Sequence, residues 1–229
     1  MAIKPILFNS EMVRAILDGR KACTRRLVKT RRKDACGFYV TKKADDSFAG
    51  IYEYDENESM FDNPLMPPYQ PGDILYVRET VWQKIGYYLD VDGETKPSWY
   101  NEFRYVASDE KPETGWNYSW VKRPSIHMPK EAARIWLRVT NVMVERLQEI
   151  TENGALREGA QGIRCDHAGL GVYGCTDCMN TGWIEPPQVE FMYIWDSTVK
   201  KSDIDRYGWD ANPWVWVIEF EPCEKPEGA

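Results

Sequence analysis

The sequence predicts a mixed α+β fold: a small β-barrel with flanking short helices, two long insertions and a cysteine-bearing loop. Short strand-like stretches outnumber the helical ones, and no strand–helix–strand rhythm of a parallel sheet is present. Apolar residues make up 43% of the 229-residue chain, enough for one generous core. Two insertions, about 31–70 and about 83–126, interrupt the order of elements, and residues 34–70 lack clear periodicity. The expected organisation is a single domain over 1–229, with those two insertions and a zinc loop over 163–185.

Lys4 to Phe8 reads as a short strand. Ser10 is a good helix cap with Glu11 in the first turn, and Met12, Val13, Ile16 and Leu17 share one helical face. Gly19 ends that helix, as glycine does just past a C-terminus. In the first insertion, Gly37 to Val40 and Gly50 to Tyr52 read as a hairpin. Pro71-Gly72-Asp73 is a turn, and Ile74 to Thr80 a strand. The second insertion is rich in Tyr and Trp. Ala133 to Val144 is the longest strand pattern. Thr151 caps a short helix that Gly159 ends. Val189 to Asp196 reads as a helix, with Phe191, Ile194 and Trp195 at helical spacing. Pro213 to Phe220 closes the fold as a strand whose Trp214 and Trp216 pack the core, and the tail from Glu221 frays.

Charge is unevenly spread. Residues 1–33 hold ten Lys/Arg against Glu11 and Asp18, a local net of +8; the whole chain is −7, which leaves −15 for residues 34–229. A basic segment on an acidic chain points to an anionic ligand at one place. It also argues against coating of long duplexes, which needs a broad basic face. No run approaches the ~20 apolar residues of a membrane span, and the N-terminus has no signal-peptide pattern. A soluble protein of the cytoplasm is expected, without a membrane partner.

The densest part of that segment is Gly19-Arg20-Lys21-Ala22-Cys23-Thr24-Arg25-Arg26, expected in a turn after the first helix. Two chemistries stand open there. Thr24 can be a nucleophile with Lys21 as its base, since a lysine serves as a base when burial and cationic neighbours favour the free amine. Alternatively, Lys21, Arg25 and Arg26 can clamp phosphate. A solvated basic surface is the plain third reading.

The loop after the short helix carries Cys165-Asp166-His167 and Cys175-Thr176-Asp177-Cys178. Four soft ligands suit a tetrahedral zinc ion, and C-x-x-C has knuckle spacing. With all four positions filled, the metal would be structural. Cys23, Cys36 and Cys223 are expected as free thiols.

Several blocks together resemble the ASCH-domain proteins of the PUA-like superfamily, most closely those of tailed phages and prophages. They are Lys4 to Phe8 with Met12 to Lys21, Pro71-Gly72-Asp73 with Val77 to Thr80, Ser125 to Pro129, Val144 to Gln148, and Gly208 to Val217. The family motif Gly-x-Lys-x-x-Glu-x-Arg is met by Gly19, Lys21 and Arg26, while Thr24 stands where Glu is usual. The small bacterial N4-acetylcytidine amidohydrolases resemble this chain in that substitution. The resemblance implies a PUA-like barrel and a catalytic set of Lys21, Thr24 and Glu158, with Glu158 acting as acid/base. Glu152 matches less well because it has a capping role in the same helix. A modified pyrimidine nucleoside, or RNA or another single-stranded nucleic acid, is the implied ligand. Arg20, Arg25, Arg26, Tyr76, Arg78 and His127 are its implied contacts, with Tyr76 or Trp82 able to stack a base. A non-catalytic RNA-binding module is the alternative. A ribonuclease is a weaker one, because His127 and His167 are the only histidines. A phage-encoded protein would work in the host cytoplasm.

Overall fold

The first turns show how local chemistry sets the frame. Asn9, rather than Ser10, caps the first helix: its side chain accepts the Met12 N–H at 2.8 Å. Gly19 takes the left-handed conformation at φ 73°. The Gly19 N–H then donates to Ile16 O and the Arg20 N–H to Ala15 O, the paired bonds of a Schellman ending.

The computed structural model describes residues 2–45, 48–166, 175–179 and 181–228. In chain order these form β1 (Ile3–Leu7), α1 (Ser10–Leu17), β2 (Cys23–Leu27), β3 (Gly37–Lys42), β4 (Phe48–Tyr54), β5 (Ile74–Arg78), β6 (Val81–Leu89), β7 (Thr95–Tyr105) and β8 (Tyr118–Arg123). There follow β9 (Trp136–Arg146), α2 (Glu152–Glu158), β10 (Ile163–Arg164), β11 (Trp183–Glu185), α3 (Pro187–Thr198), α4 (Ile204–Tyr207) and β12 (Trp214–Cys223). The class is mixed α+β. No strand order returns to its starting strand, so no closed barrel is present among the described residues. None of their helices is long and apolar enough to cross a membrane.

Contacts divide the chain into two compact units. The first comprises Met1–Lys21, Gly72–Val139 and Glu221–Ala229. Here β1 runs parallel to β5 (Ile3↔Ile74 to Leu7↔Arg78), and β5 runs antiparallel to the start of β9 (Leu75↔Leu137). The second insertion is not irregular: β7, β6 and β8 make a three-stranded antiparallel sheet. Ile74, Val81, Met128, Ala132, Ala133 and Trp136 form a core that Phe103 and Tyr105 join from that sheet. Two buried acids are closed by local partners. Asp73 accepts from the Ala2 N–H and Lys4 Nζ; Glu79 accepts from Arg134 at 2.8 and 3.0 Å, and Arg134 stacks over the Tyr105 ring.

The second unit comprises Ala22–Pro71 and Thr140–Phe220. Its strand order runs β9-β12-β2, with β2 antiparallel to β12 from Val215↔Leu27 to Glu219↔Cys23. Thr24, Arg25 and Arg26 therefore lie on a strand, not in the expected turn. The strand forms because Cys23 to Leu27 can register against the apolar run Val215 to Ile218, whose backbone groups need partners. Leu147, Ile150, Ala155, Phe191, Trp195 and Val215 form the core beneath it. The expected hairpin is β3–β4. Buried Glu53 on β4 accepts the backbone N–H groups of Arg31 and Arg32. The closing strand runs on to Cys223, three residues into the expected tail.

Candidate active site

Burial decides the reading of the basic motif. Lys21 is 3%, Thr24 1%, Arg25 5% and Glu158 7% exposed. A solvated basic surface is excluded, because charges out of water need partners. Among the described residues only seven polar or charged side chains are buried, and these four are among them.

In the second unit, β2 is the terminal strand of its sheet, and α2 lies against it. Thr151 caps α2 by accepting the Gly154 N–H at 3.0 Å, and Gly159 ends it at φ 102°. The Ala22 N–H donates to Arg157 O at 2.8 Å, so the end of α2 that carries Glu158 is tied to the start of β2. Arg25 donates Nε and Nη2 to Glu145 Oε1 at 2.8 and 2.7 Å, and Nη1 to Glu158 Oε1 at 3.2 Å. Its guanidinium sits 5.7 Å from the Phe191 ring centre. Gly154 leaves room for this: a Cβ there would lie 3.1 Å from Arg25 Nη2.

Burial works to lower the Arg25 pKa, but Glu158, Glu145 and Cys23 outweigh it and raise it. Arg26 behaves oppositely. Burial lowers its pKa, and Glu158 and Tyr69 only partly offset the effect. Burial also raises the Tyr69 phenol, against the pull of Arg26.

Side chains alternate along a strand. Thr24 and Arg26 share the face of Ile218 and Trp216, their direct partners on β12, while Cys23 and Arg25 take the other. The structure thus joins Glu158 to Arg25 and places Thr24 on the opposite face of β2. A cleft of about 420 Å³ has Arg25, Arg26, Lys29, Trp195, Lys200 and Asp203 in its lining, and Lys21, Thr24 and Glu158 do not line it. That volume is in the range of small-ligand sites.

Lys21 is the last residue of the first unit. Its N–H donates to Ala15 O, and its Nζ lies 5.5 Å from the Phe8 ring centre. Arg20 is paired with Asp18 at the surface. Arg78 donates to Met128 O at 2.8 Å and to Ile126 O, bracing the segment that carries exposed His127. Tyr76 is half-buried, its ring 6.0 Å from that of Trp136. Trp216 is buried, and Trp214 is half-buried under the Arg146 guanidinium. Glu145 and Tyr69 are the site residues that sequence reasoning missed. Glu145 lies in the matched block Val144 to Gln148, and an acid at the end of a long strand was the available signal.

In the cysteine loop, the sulfurs of Cys165, Cys175 and Cys178 lie within 4.8 Å of one another. Cys165 and Cys175 Sγ are 3.9 Å apart, far beyond a disulfide bond. Tetrahedral thiolates around zinc at ~2.3 Å stand about 3.8 Å apart, so the cluster fits a metal ion. Backbone geometry supports it: the Cys165 N–H donates to Gly182 O, Thr181 Oγ1 donates to Cys178 O, and Met179 takes a left-handed φ of 47°. His167 lies outside the described residues.

Comparison with protein-family models, curated proteins and solved structures returns no match to this chain.

Proposed function

We propose that the chain is an ASCH-like amidohydrolase that removes the acyl group from an N4-acylcytidine type of nucleoside. The burial of a polar set nominated from sequence carries this reading: Lys21, Thr24, Arg25 and Glu158 occupy interior positions that a chain fills with charge only when partners compensate it. The PUA-like ancestry implied by the sequence blocks belongs to this reading, with the mixed α+β architecture as its support. So does a working place in the cytoplasm.

In the proposed reaction, Thr24 Oγ attacks the acyl carbon, and the amine of Lys21, three positions earlier in the chain, accepts the hydroxyl proton. The carbon–N4 bond breaks, and the departing N4 takes that proton, releasing cytidine. Water then attacks the acyl-threonine, the Lys21 amine accepts its proton and returns it to Thr24 Oγ, and the carboxylic acid leaves; Glu158 orients Lys21. Arg25 acts as a positioning residue that aims the Glu158 carboxylate. Arg26 stabilises the oxyanion or binds a phosphate. The cleft lined by Arg26, Lys29 and Lys200 holds the ribose or a phosphate of the ligand, with Arg25 and Arg26 next to Thr24 in the chain. Cys165, Cys175 and Cys178 would hold a structural zinc, with His167 as the fourth ligand nominated from sequence, and that zinc would staple the loop without a part in the chemistry.

The test is cytidine release from N4-acetylcytidine. The wild type should turn over, and Thr24→Ala and Lys21→Ala should each lose about 10²- to 10⁴-fold in kcat. No release by folded wild-type protein overturns the substrate assignment. The same cleft supports binding without hydrolysis, in which case Thr24→Ala leaves ligand affinity intact and Arg26→Ala lowers it. Metal analysis should find one zinc per chain, and its removal by a chelator should lower Tm by roughly 5 °C or more, since ~1 kcal/mol corresponds to about 2–4 °C at this size. An apo-protein with unchanged Tm sinks the structural zinc.

A further inference from the structure

We infer that the open face of the β7-β6-β8 sheet binds single-stranded nucleic acid. This surface belongs wholly to the first unit and does not rest on the hydrolytic reading.

Directly opposed residues in an antiparallel sheet share a face. Trp82 on β6 stands between Arg104 on β7 and Lys122 on β8. Two residues along, Lys84 stands opposite Trp120, and its Nζ bonds Glu102 at 2.9 Å. Two further along, Gly86 stands opposite Tyr118 and carries the Tyr100 ring: a Cβ at Gly86 would lie 2.6 Å from it. One face of three strands is therefore a ladder of rings and cations, with glycine where the Tyr100 ring comes close to the backbone.

The opposite face supplies the packing. Val81 and Ile85 are buried, and Phe103 and Tyr105 join the core of the unit. The ladder face is partly open to solvent: Arg104, Lys111 and Lys122 are exposed and Tyr100 is 47% exposed, while Trp82, Lys84, Tyr118 and Trp120 are half-buried.

Apart from Lys84, which bonds Glu102, these cations sit against rings. Lys122 and Lys111 lie 5.8 and 5.9 Å from the Trp82 ring centre, Lys84 lies 4.6 Å from that of Tyr118, and the Arg104 guanidinium lies 5.7 Å from that of Trp120. A cation over a ring keeps its full charge for an incoming anion. Glu102 is the one acid among these rungs. This charge complements a phosphate backbone, while the ring faces suit bases.

Single strands fit better than a duplex. Ring faces stack unpaired bases, which a duplex hides. Successive rungs are about 6.8 Å apart, twice the residue rise of a strand. That stride exceeds the ~3.4 Å spacing of stacked nucleotides in a duplex. The net charge of −7 also disfavours a duplex lying across a wide area.

The probe is a fluorescein-labelled oligothymidylate long enough to cross three strands, read by fluorescence anisotropy with the full chain. The wild type should bind, and binding should weaken between about 50 and 200 mM salt. Trp120→Ala should lose about tenfold or more in affinity, and Trp120→Phe, which keeps a ring, should recover most of it. Lys111→Ala with Lys122→Ala should lower the magnitude of the salt slope by about 1.4. The inference is overturned by no binding to folded wild type, by equal affinity for a duplex of the same length, by equally effective competition from polyglutamate, or by equal binding of Trp120→Ala and wild type.

Discussion

Strand β2 and the β6 ladder are both basic, yet they use their cations in opposite ways. On β2 the Arg25 guanidinium is buried and shared between the Glu145 and Glu158 carboxylates. On the ladder, Arg104 and Lys122 stay exposed and lie over indole rings. A buried cation is held by acids because the interior offers no water, and its partners fix its geometry. An exposed cation over a ring remains hydrated and available. The first arrangement positions a group; the second presents one. Composition alone cannot separate them, since both are Lys or Arg among apolar neighbours.

The comparison breaks or sharpens with three substitutions. Arg25→Met should have the largest effect. It removes the guanidinium shared by Glu145 and the buried Glu158, at a cost of about 3–5 kcal/mol in urea unfolding; a loss under ~1 kcal/mol would mean that β2 is not held by this pairing. Next is Tyr69→Phe, through alkaline pH. The folded Tyr69 phenol is raised above its usual 10.0, so the contribution is fully present below pH 10 and is lost as pH rises through the folded value. Wild-type Tm should fall above about pH 10, and Tyr69→Phe should fall less; parallel profiles would remove Tyr69 from the buried cluster. Smallest is Lys122→Ala on the ladder, expected within ~0.5 kcal/mol of wild type by urea unfolding. A larger loss would make that lysine a structural group like Arg25.

Much of the frame was legible. The first strand, α1 with its glycine ending, the β3–β4 hairpin, the Thr151-capped helix and α3 all follow from caps, breakers and periodicity. Asn9 and Ser10 are both good caps at adjacent positions, and only the folded turn distinguishes them. The second insertion was opaque for a physical reason. Periodicity scores apolar against polar alternation, but there one face mixes rings with cations, so Trp82 and Lys84 on the same face cancel the signal. The expected turn at Thr24 failed because nothing local encodes a strand in Cys23 to Leu27. The register comes from β12, almost two hundred residues away.

The sequence by itself nominated the residues of the proposed chemistry, namely the Lys21–Thr24 motif, the acid at 158 and the thiols of the cysteine loop, and it set the local helix ends. Those are properties of residue type and short spacing. Only the tertiary structure decided that the basic motif is interior, that Arg25 is committed to Glu145 and Glu158, that Thr24 shares a face with Arg26, and that the aromatic insertion is an ordered sheet with one open face. Burial and pairing are set by contacts between residues far apart in the chain, and short-range patterns do not encode them.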